Sequence, residues 1–456
     1  MSHLHSVPPT AAMRMVPGQQ LPRHPFPGLL DGEFCYSAAD RSLIAGPDGD
    51  DLGPHLARCG PRPVTTGRAG EVLLRSIDHA GLTGRGGAHF PVATKWRAAL
   101  AAGGGGLLVA NGAEGEPASA KDTALLQHRP HLVIDGLVCA AETIGAARAV
   151  IWLHEGAVET HRVLAQALAE RRAAGFAEPA IRIVTGPDRY LTGEASAVVR
   201  ALDGGPALPA FTREPAATRG VHGLPTVVQN VETLARVALL ARAGADAPMP
   251  GVLVTVHGES LHGEQALTVR ELAPSRTVAE AVLDRWGPRS SPPQAILIGG
   301  YGGSWLPWAE VAGLPLGRLD GQRSISLVGQ PHPSLGAGVL IALPTDACGL
   351  TETAAVIDYL AASSAKQCGP CLFGTRALAD GWRRIADSRA RRGDHRHLLT
   401  VAAQVAGRGA CHLPDAVVGL TRTALRVFAD DLDRHLRGAG CGFEQGRPVL
   451  PMPGRR

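Results

Sequence analysis

The chain has only three lysines, Lys95, Lys121 and Lys366, although lysine and arginine together number 45, so nearly all of its positive charge is arginine. This reads first as codon bias, since lysine codons are poor in G and C, and a lysine retained against that pressure is of interest for its site. Aromatic residues make up 4% of the sequence and net charge is +4. With no basic block and no stripe of arginines interleaved with aromatics, nucleic acid is excluded as an expected partner. Long hydrophobic runs are also missing. Stretches such as Gly336 to Leu343 are far too short to span a bilayer as a helix. The first 28 residues carry six prolines and no continuous apolar core, the composition of a flexible arm rather than a secretory leader. A cytoplasmic protein is expected. In that compartment the eight cysteines are read as ligands, redox groups or small buried apolar residues rather than disulfides.

What is present has a clear order. A length of 456 residues allows roughly two to four domains with buried cores. The spacing of Val72, Leu73, Ile77 and Leu82 predicts a helix over "EVLLRSIDHAGL". A glycine-rich loop follows, then a helix over "VATKWRAALAAG" that closes at Gly103. "GLLVANGAEGEP", "ARAVIWLH" and "AIRIVTGP" read as strands, separated by helices over "ALLQHRPHLVIDGLVCAAETIG" and "GAVETHRVLAQALAERRAAG". That alternation indicates a parallel sheet with helices on its faces. From Val252 the pattern becomes a small unit of short strands around one helix. After "LGAGVLIALP" four stretches with apolar spacings of three and four predict a helical bundle. The tail beyond Gly438 is rich in glycine and proline and is expected to fray.

Two constellations carry chemistry. The first is Cys368-Gly-Pro-Cys371 in "KQCGPCLFG". Disulfide exchange needs its first cysteine at a strand-to-helix junction, where the helix dipole lowers the thiol pKa. Here Asp358 to Ser364 reads as a helix ending, the wrong context. A metal site needs more ligands, and Cys411 in "GRGACHLPD" lies at a turn between two expected bundle helices. Three thiolates are a minimal set for an iron-sulfur cluster, whose irons prefer four. Zinc would accept the same three with His412 or another residue. Buried thiols without a ligand are the remaining reading.

The second constellation is "TGRGGAHFP", Thr83 to Pro91. Glycines at 84, 86 and 87 let backbone N–H groups approach an anion, the next helix points its positive end there, and Lys95 could neutralise a phosphate. Glycines also serve ordinary tight turns. Together with "NGAEGEP" and "YLTGEAS", each after a strand, the loop makes a third polar segment that could gather at one sheet edge, where parallel sheets bind nucleotides.

"GLTGRGGAHFPVATKW", "NGAEGEPASAKD", "YLTGEASAV", "PTVVQNVETLARV" and "CGPC…GAC" occur in one order from about Gly81 to Leu436. Together they resemble the flavin-bearing, NADH-oxidising subunit of respiratory complex I and its relatives in NAD-reducing hydrogenases and formate dehydrogenases. The resemblance implies an α/β fold: a Rossmann-like FMN domain, then a ubiquitin-like β-grasp domain and a C-terminal helical bundle holding a [4Fe-4S] cluster. The corresponding expected boundaries are an N-terminal arm and lead-in over 1–60, the FMN domain over 61–247, the β-grasp unit over 248–335, the iron-sulfur bundle over 336–440 and a tail over 441–456. Gly84, Arg85, Gly86, Gly87 and Lys95 would hold the FMN phosphate region. Asn111, Glu114, Tyr190, Gly193, Glu194 and Asn230 would line the flavin, with Gln229 where the family usually has asparagine. Phe90 and Glu116 would face the dinucleotide, Glu114 and Glu116 being the expected catalytic pair. Cys368, Cys371 and Cys411 would bind iron.

The departures are specific. The family's first cluster cysteine falls on Ala365, or on Ser364 with one inserted residue, which leaves three thiolates unless Cys348, Cys441 or an exogenous ligand completes the set; a [3Fe-4S] centre is the variant. Ala113 and Ala195 replace family acids, His89 replaces a glycine, and Ala98, Thr212 and Pro215 fall where rings and a lysine surround the adenosine. The expected function is electron transfer from NAD(P)H or another donor through FMN to the cluster, alongside other redox subunits such as a ferredoxin-like or small iron-sulfur subunit. The alternative is a subunit that keeps the fold for assembly or docking and has lost NADH oxidation.

Overall fold

The computed structural model describes residue 43 and residues 51–244, 250–259, 265–283, 291–320, 334–443 and 449–453. Most of the expected N-terminal arm lies outside the described residues. Within the lead-in, α1 (Leu52–Cys59) forms, and α2 (Arg68–His79) and α3 (Val92–Ala101) follow.

The first sheet comprises β1 (Leu107–Asn111), β2 (Arg148–His154), β3 (Ala180–Gly186) and β4 (Thr226–Asn230), interleaved with α4 (Lys121–His128), α5 (Pro130–Ile144), α6 (Val158–Ala173) and α7 (Ala195–Leu202), and followed by α8 (Val231–Ala243). Its order is β3-β2-β1-β4 and every pairing is parallel. The chain goes outward from β1 on one side and returns to its other side as β4. The crevice at their carboxyl ends is therefore a topological switch point, the place where such sheets take ligands. Helix α5 is buried along almost its whole length, as an apolar surface on all sides requires. The single helix expected over the preceding stretch is broken into α4 and α5. Pro130 has no N–H and disfavours helical geometry in the residue before it, and Arg129 adopts φ −134° and ψ 49°.

The second sheet is mixed, with order β6-β5-β9-β7-β8. It comprises β5 (Val252–Glu259), β6 (Gln265–Leu272), β7 (Ala295–Ile298), β8 (Ser304–Pro307) and β9 (Val339–Leu343), with α9 (Val278–Leu283) and the short α10 (Trp308–Val311) and α11 (Leu316–Leu319) in the connections. The run around Val339, grouped by sequence with the helical segment, is the central strand here. It pairs parallel to β5 and antiparallel to β7, and every one of its residues is buried.

Beyond it come α12 (Gly349–Ala362), a π-turn at Pro370–Gly374, α13 (Thr375–Ala386), α14 (Asp394–Val405), α15 (Leu413–Val427) and α16 (Ala429–Leu436). The long last helix expected from periodicity breaks at Phe428, which leaves helical geometry at φ −106° and ψ 34°. Its ring packs on Trp305 at 5.2 Å between centroids and sits over Gly349, where an added Cβ would come within 2.3 Å of it. The expectation of a frayed tail is corrected for residues 449–453, while 444–448 and 454–456 lie outside the described residues. The N–H groups of Val449 and Leu450 bind the Glu352 carboxylate at 3.0 and 3.1 Å, and Leu450 and Met452 are buried in the core.

Candidate functional site

The glycine-rich loop closes on itself because Thr83 and Pro91 bridge and the Gly84 N–H reaches the Phe90 carbonyl at 2.9 Å. Gly87 turns at φ +97°, a left-handed conformation that favours glycine. His89 adopts φ +46° without that freedom, and its ring is buried. The loop lies over the end of β4: a Cβ on Gly84 would come within 3.7 Å of the Gln229 amide nitrogen, and one on Gly86 within 3.5 Å of Asn230 Cβ. The Arg85 N–H donates to Thr233 Oγ1 at 2.9 Å, and its guanidinium pairs with Asp320 beside the second sheet.

Asn111 and Asn230 end β1 and β4 and are register partners. The Asn111 amide donates to the Gly193 carbonyl at 2.6 Å, and a Cβ on Gly193 would collide with the Ala113 carbonyl at 2.6 Å, so the loops after β1 and β3 touch through backbone. The Asn230 side chain caps α8 by accepting the Glu232 N–H at 2.9 Å and donates to Asp122 at 2.6 Å. The three polar loops expected to converge do so here.

Several polar groups at this edge have chemistry to spare. Lys95 Nζ donates to the Val228 carbonyl at 3.0 Å, no carboxylate among the described residues pairs with it, and burial pushes its ammonium down to about 8. The Phe90 ring, partly exposed, lies 6.0 Å away. Thr83 Oγ1, both His89 ring nitrogens and Gln229 Oε1 are buried with no hydrogen-bond partner among the described residues. Buried polar atoms are ordinarily paired. A buried ammonium with no carboxylate partner among the described residues, unpaired polar atoms on the same loop and on β4, and the Gly86 and Gly87 N–H groups fit a phosphorylated, hydrogen-bonding cofactor such as FMN.

The two acidic candidates differ. Glu114 receives Ser119 Oγ, the Asp122 N–H, and both the N–H and hydroxyl of Thr123, at 2.6 to 3.0 Å, and so caps α4 with both oxygens. Glu116 accepts the Tyr301 N–H at 3.0 Å and the Tyr190 hydroxyl at 3.5 Å. Burial pushes its carboxyl up to about 7 against those hydrogen bonds. Glu194 caps α7 through the N–H groups of Ser196 and Ala197. Sequence reasoning missed a buried ion network behind the loop, in which Lys121 bridges Asp122 at 2.7 Å and Glu232 at 2.9 Å, and Arg236 holds Glu232. The scarcity of lysine was the signal: Lys121 is one of three.

The cysteines of the helical segment form two groups. Cys371, on the π-turn, hydrogen-bonds both Cys411 and Cys368; contact with Cys411 and burial push its thiol up, while Cys411 is drawn down. Cys411 interacts electrostatically with Glu194 and with Tyr190, which bears on the α12 residue Tyr359 edge-on at 6.1 Å. The sulfur trio thus adjoins the loop that Asn111 holds. Three thiols gathered around Cys371 supply the donor type an iron-sulfur cluster takes. Ala365, packed against the same core, offers no donor for the fourth. Cys348 and Cys441 are elsewhere, beside His435.

A parallel sheet with a polar switch-point crevice, adjoining a thiol cluster, defines a protein that holds a phosphorylated cofactor next to a metal centre. Residues 77–239 match the family described as the Nuo51 FMN-binding domain, and residues 351–435 match the NADH-ubiquinone oxidoreductase-F iron-sulfur binding region. The F subunit of NADH-quinone oxidoreductase from Streptomyces coelicolor is 28% identical over 393 residues, covering 82% of this chain and 85% of the relative. Its namesake from Mycobacterium bovis is 27% identical, covering 84% of this chain and 88% of its own. A crystal structure of an NAD+-reducing [NiFe]-hydrogenase in the H2-reduced state superposes with a TM-score of 0.68 at 27% identity, over 85% of this chain and 67% of that one. The chain thus carries an FMN-binding domain and an iron-sulfur binding region of this family, and it is similar to the F subunits along most of its length. No helix among the described residues is long and apolar enough to cross a membrane.

Proposed function

We propose that the chain is an oxidoreductase subunit that passes electrons from a nicotinamide donor through FMN to an iron-sulfur cluster. The observation that carries this reading is the turn Tyr190–Gly193, where crevice and thiol segment meet: the Asn111 amide donates to its Gly193 carbonyl, and its Tyr190 packs edge-on against Tyr359 of α12 and interacts electrostatically with Cys411. Bound FMN supplies the conversion of a two-electron hydride donor into single electrons, while the protein supplies position and electrostatics.

Within that reading, Lys95 and the N–H groups of Gly86 and Gly87 hold the phosphate, while the Gly84 and Arg85 N–H groups fix the loop through Phe90 and Thr233. Asn111, Gly193, Glu194, Gln229 and Asn230 frame the flavin, and Tyr190 closes the side toward the thiols. Phe90 and Glu116 face the dinucleotide. Glu114 acts as a positioning residue through its cap on α4. Cys368, Cys371 and Cys411 ligate iron, with a non-cysteine fourth ligand or a three-iron centre. The second sheet is a β-grasp unit, supported by a first strand paired in parallel with the last between two hairpin edges. The last five helices form the iron-sulfur bundle, and further redox subunits accept the electrons. Anaerobic purification with iron and FMN counts, followed by NADH and NADPH titration, tests the reading. Bleaching of the flavin by either nucleotide supports it. A colourless chain without iron or flavin overturns it in favour of the docking subunit.

A further inference from the structure

A second side-chain cluster lies at the opposite end of α12 from the first. Cys348 is the N-cap of that helix and accepts the Thr351 N–H through its sulfur at 3.4 Å. His435, fully buried in the last turn of α16, brings Nε2 to 3.7 Å from Cys348 Sγ. Cys441, beyond the end of α16, completes the group, and its sulfur, the Cys348 sulfur and a His435 ring nitrogen all lie within 4.8 Å of one another. We propose that Cys348, His435 and Cys441 bind a zinc ion, separate from the iron centre, with a water in the fourth position.

The tautomer supports this. His435 Nδ1 lies 2.9 Å from the Ile385 carbonyl, which can only accept, so Nδ1 carries the proton and Nε2 presents its lone pair toward the two sulfurs. Ser388 Oγ, 3.2 Å from the same Nδ1, adds a second partner on that side. A ligating histidine is normally oriented in this way, with its other nitrogen donating to a carbonyl. The spacing agrees as well. Tetrahedral bonds of about 2.3 Å to sulfur and about 2.0 Å to nitrogen place those atoms about 3.6 Å apart, against the 3.7 Å seen between Cys348 and His435. Two thiolates and an imidazole are a soft-to-borderline set that favours zinc over hard cations. Binding releases one proton from each thiol to solvent and changes no oxidation state.

The centre is distinct from the iron site. Tyr359, against which Tyr190 packs near Cys411, lies eleven residues further along α12, a rise of about 16 Å. The centre sits at a junction of the fold. It joins the start of α12, the end of α16 and the beginning of the C-terminal segment, which then returns to bind Glu352 on α12.

The full chain, purified with its iron, is assayed by elemental analysis, then stripped with a chelator and titrated with Zn2+ or Co2+ alone. One zinc per chain, and cobalt spectra with thiolate charge-transfer and strong four-coordinate bands, are expected. Cys441→Ser, in the segment after the last helix, lowers zinc affinity at least about tenfold while iron and flavin contents hold. Cys368→Ser with Cys371→Ser loses iron and keeps zinc. A chain that carries iron but takes up no zinc, a Cys348–Cys441 disulfide found by mass spectrometry, or a C441S variant with unchanged zinc affinity each overturns the inference.

Discussion

The Glu116 carboxylate accepts the backbone N–H of Tyr301 at 3.0 Å, and this contact ties the loop after β1 to the turn between β7 and β8. Gly300 makes the approach possible. It sits at φ +78°, and a Cβ there would come within 2.5 Å of the Glu116 carboxyl carbon. Gly300→Ala is therefore expected to cost about 1–3 kcal/mol, from left-handed strain plus displacement of a buried carboxylate. Urea denaturation measures it, and a loss under about 0.5 kcal/mol, the size of an ordinary surface change, would contradict the packing argument.

Two buried groups should tilt the pH dependence of stability in opposite directions. The Glu116 carboxyl is raised from 4.5 to about 7, so the folded form holds its proton more tightly and stability falls as pH rises through that window. His89 is lowered from 6.5 to about 4, chiefly by burial, so the unfolded form takes the proton first and stability falls as pH drops through that window. Glu116→Gln should remove the first slope and His89→Asn the second. Denaturation curves between about pH 4 and 7 read both, and variants that leave the profile unchanged would rule out these assignments.

Lys95 is costly until it meets an anion. With its ammonium pushed from 10.5 down to about 8, the flavin-free protein gains stability as pH rises through that interval. Lys95→Met should stabilise the flavin-free chain at neutral pH by on the order of 1–3 kcal/mol. The same change should weaken FMN binding by about 10- to 100-fold, the worth of one charge-assisted hydrogen bond. Thermal melts and fluorescence titration with FMN separate the two effects. Unchanged FMN affinity would remove Lys95 from the phosphate site.

Ala365 leaves the sulfur trio without a fourth thiolate. Ala365→Cys is expected to raise iron retention during aerobic purification toward about four irons per chain and to change the electron paramagnetic resonance signature of the reduced centre. Iron content equal to that of the parent chain would place the missing ligand elsewhere.

Much of the architecture was legible in the residues because strand and helix periods are local. The parallel sheet, the glycine loop and the helical segment follow from spacing that each stretch carries by itself, and five ordered motifs were enough to point to the family. Breaks at Pro130 and Phe428 were harder. Proline chemistry marks the first, but the second depends on Phe428 finding Gly349 and Trp305, partners far away in the chain.

The sequence by itself determined which donors exist: three lysines, the thiols at 368, 371 and 411, and an alanine where a fourth thiol is expected. Only the tertiary structure decided how they are grouped. It set Cys348 and Cys441 beside His435 rather than at the iron corner, spent both oxygens of Glu114 on a helix cap, and left Lys95 without a carboxylate among the described residues. The physical reason is that ligand geometry and pKa depend on neighbours within a few ångströms, and those neighbours come from segments whose separation along the chain says nothing about their distance in space.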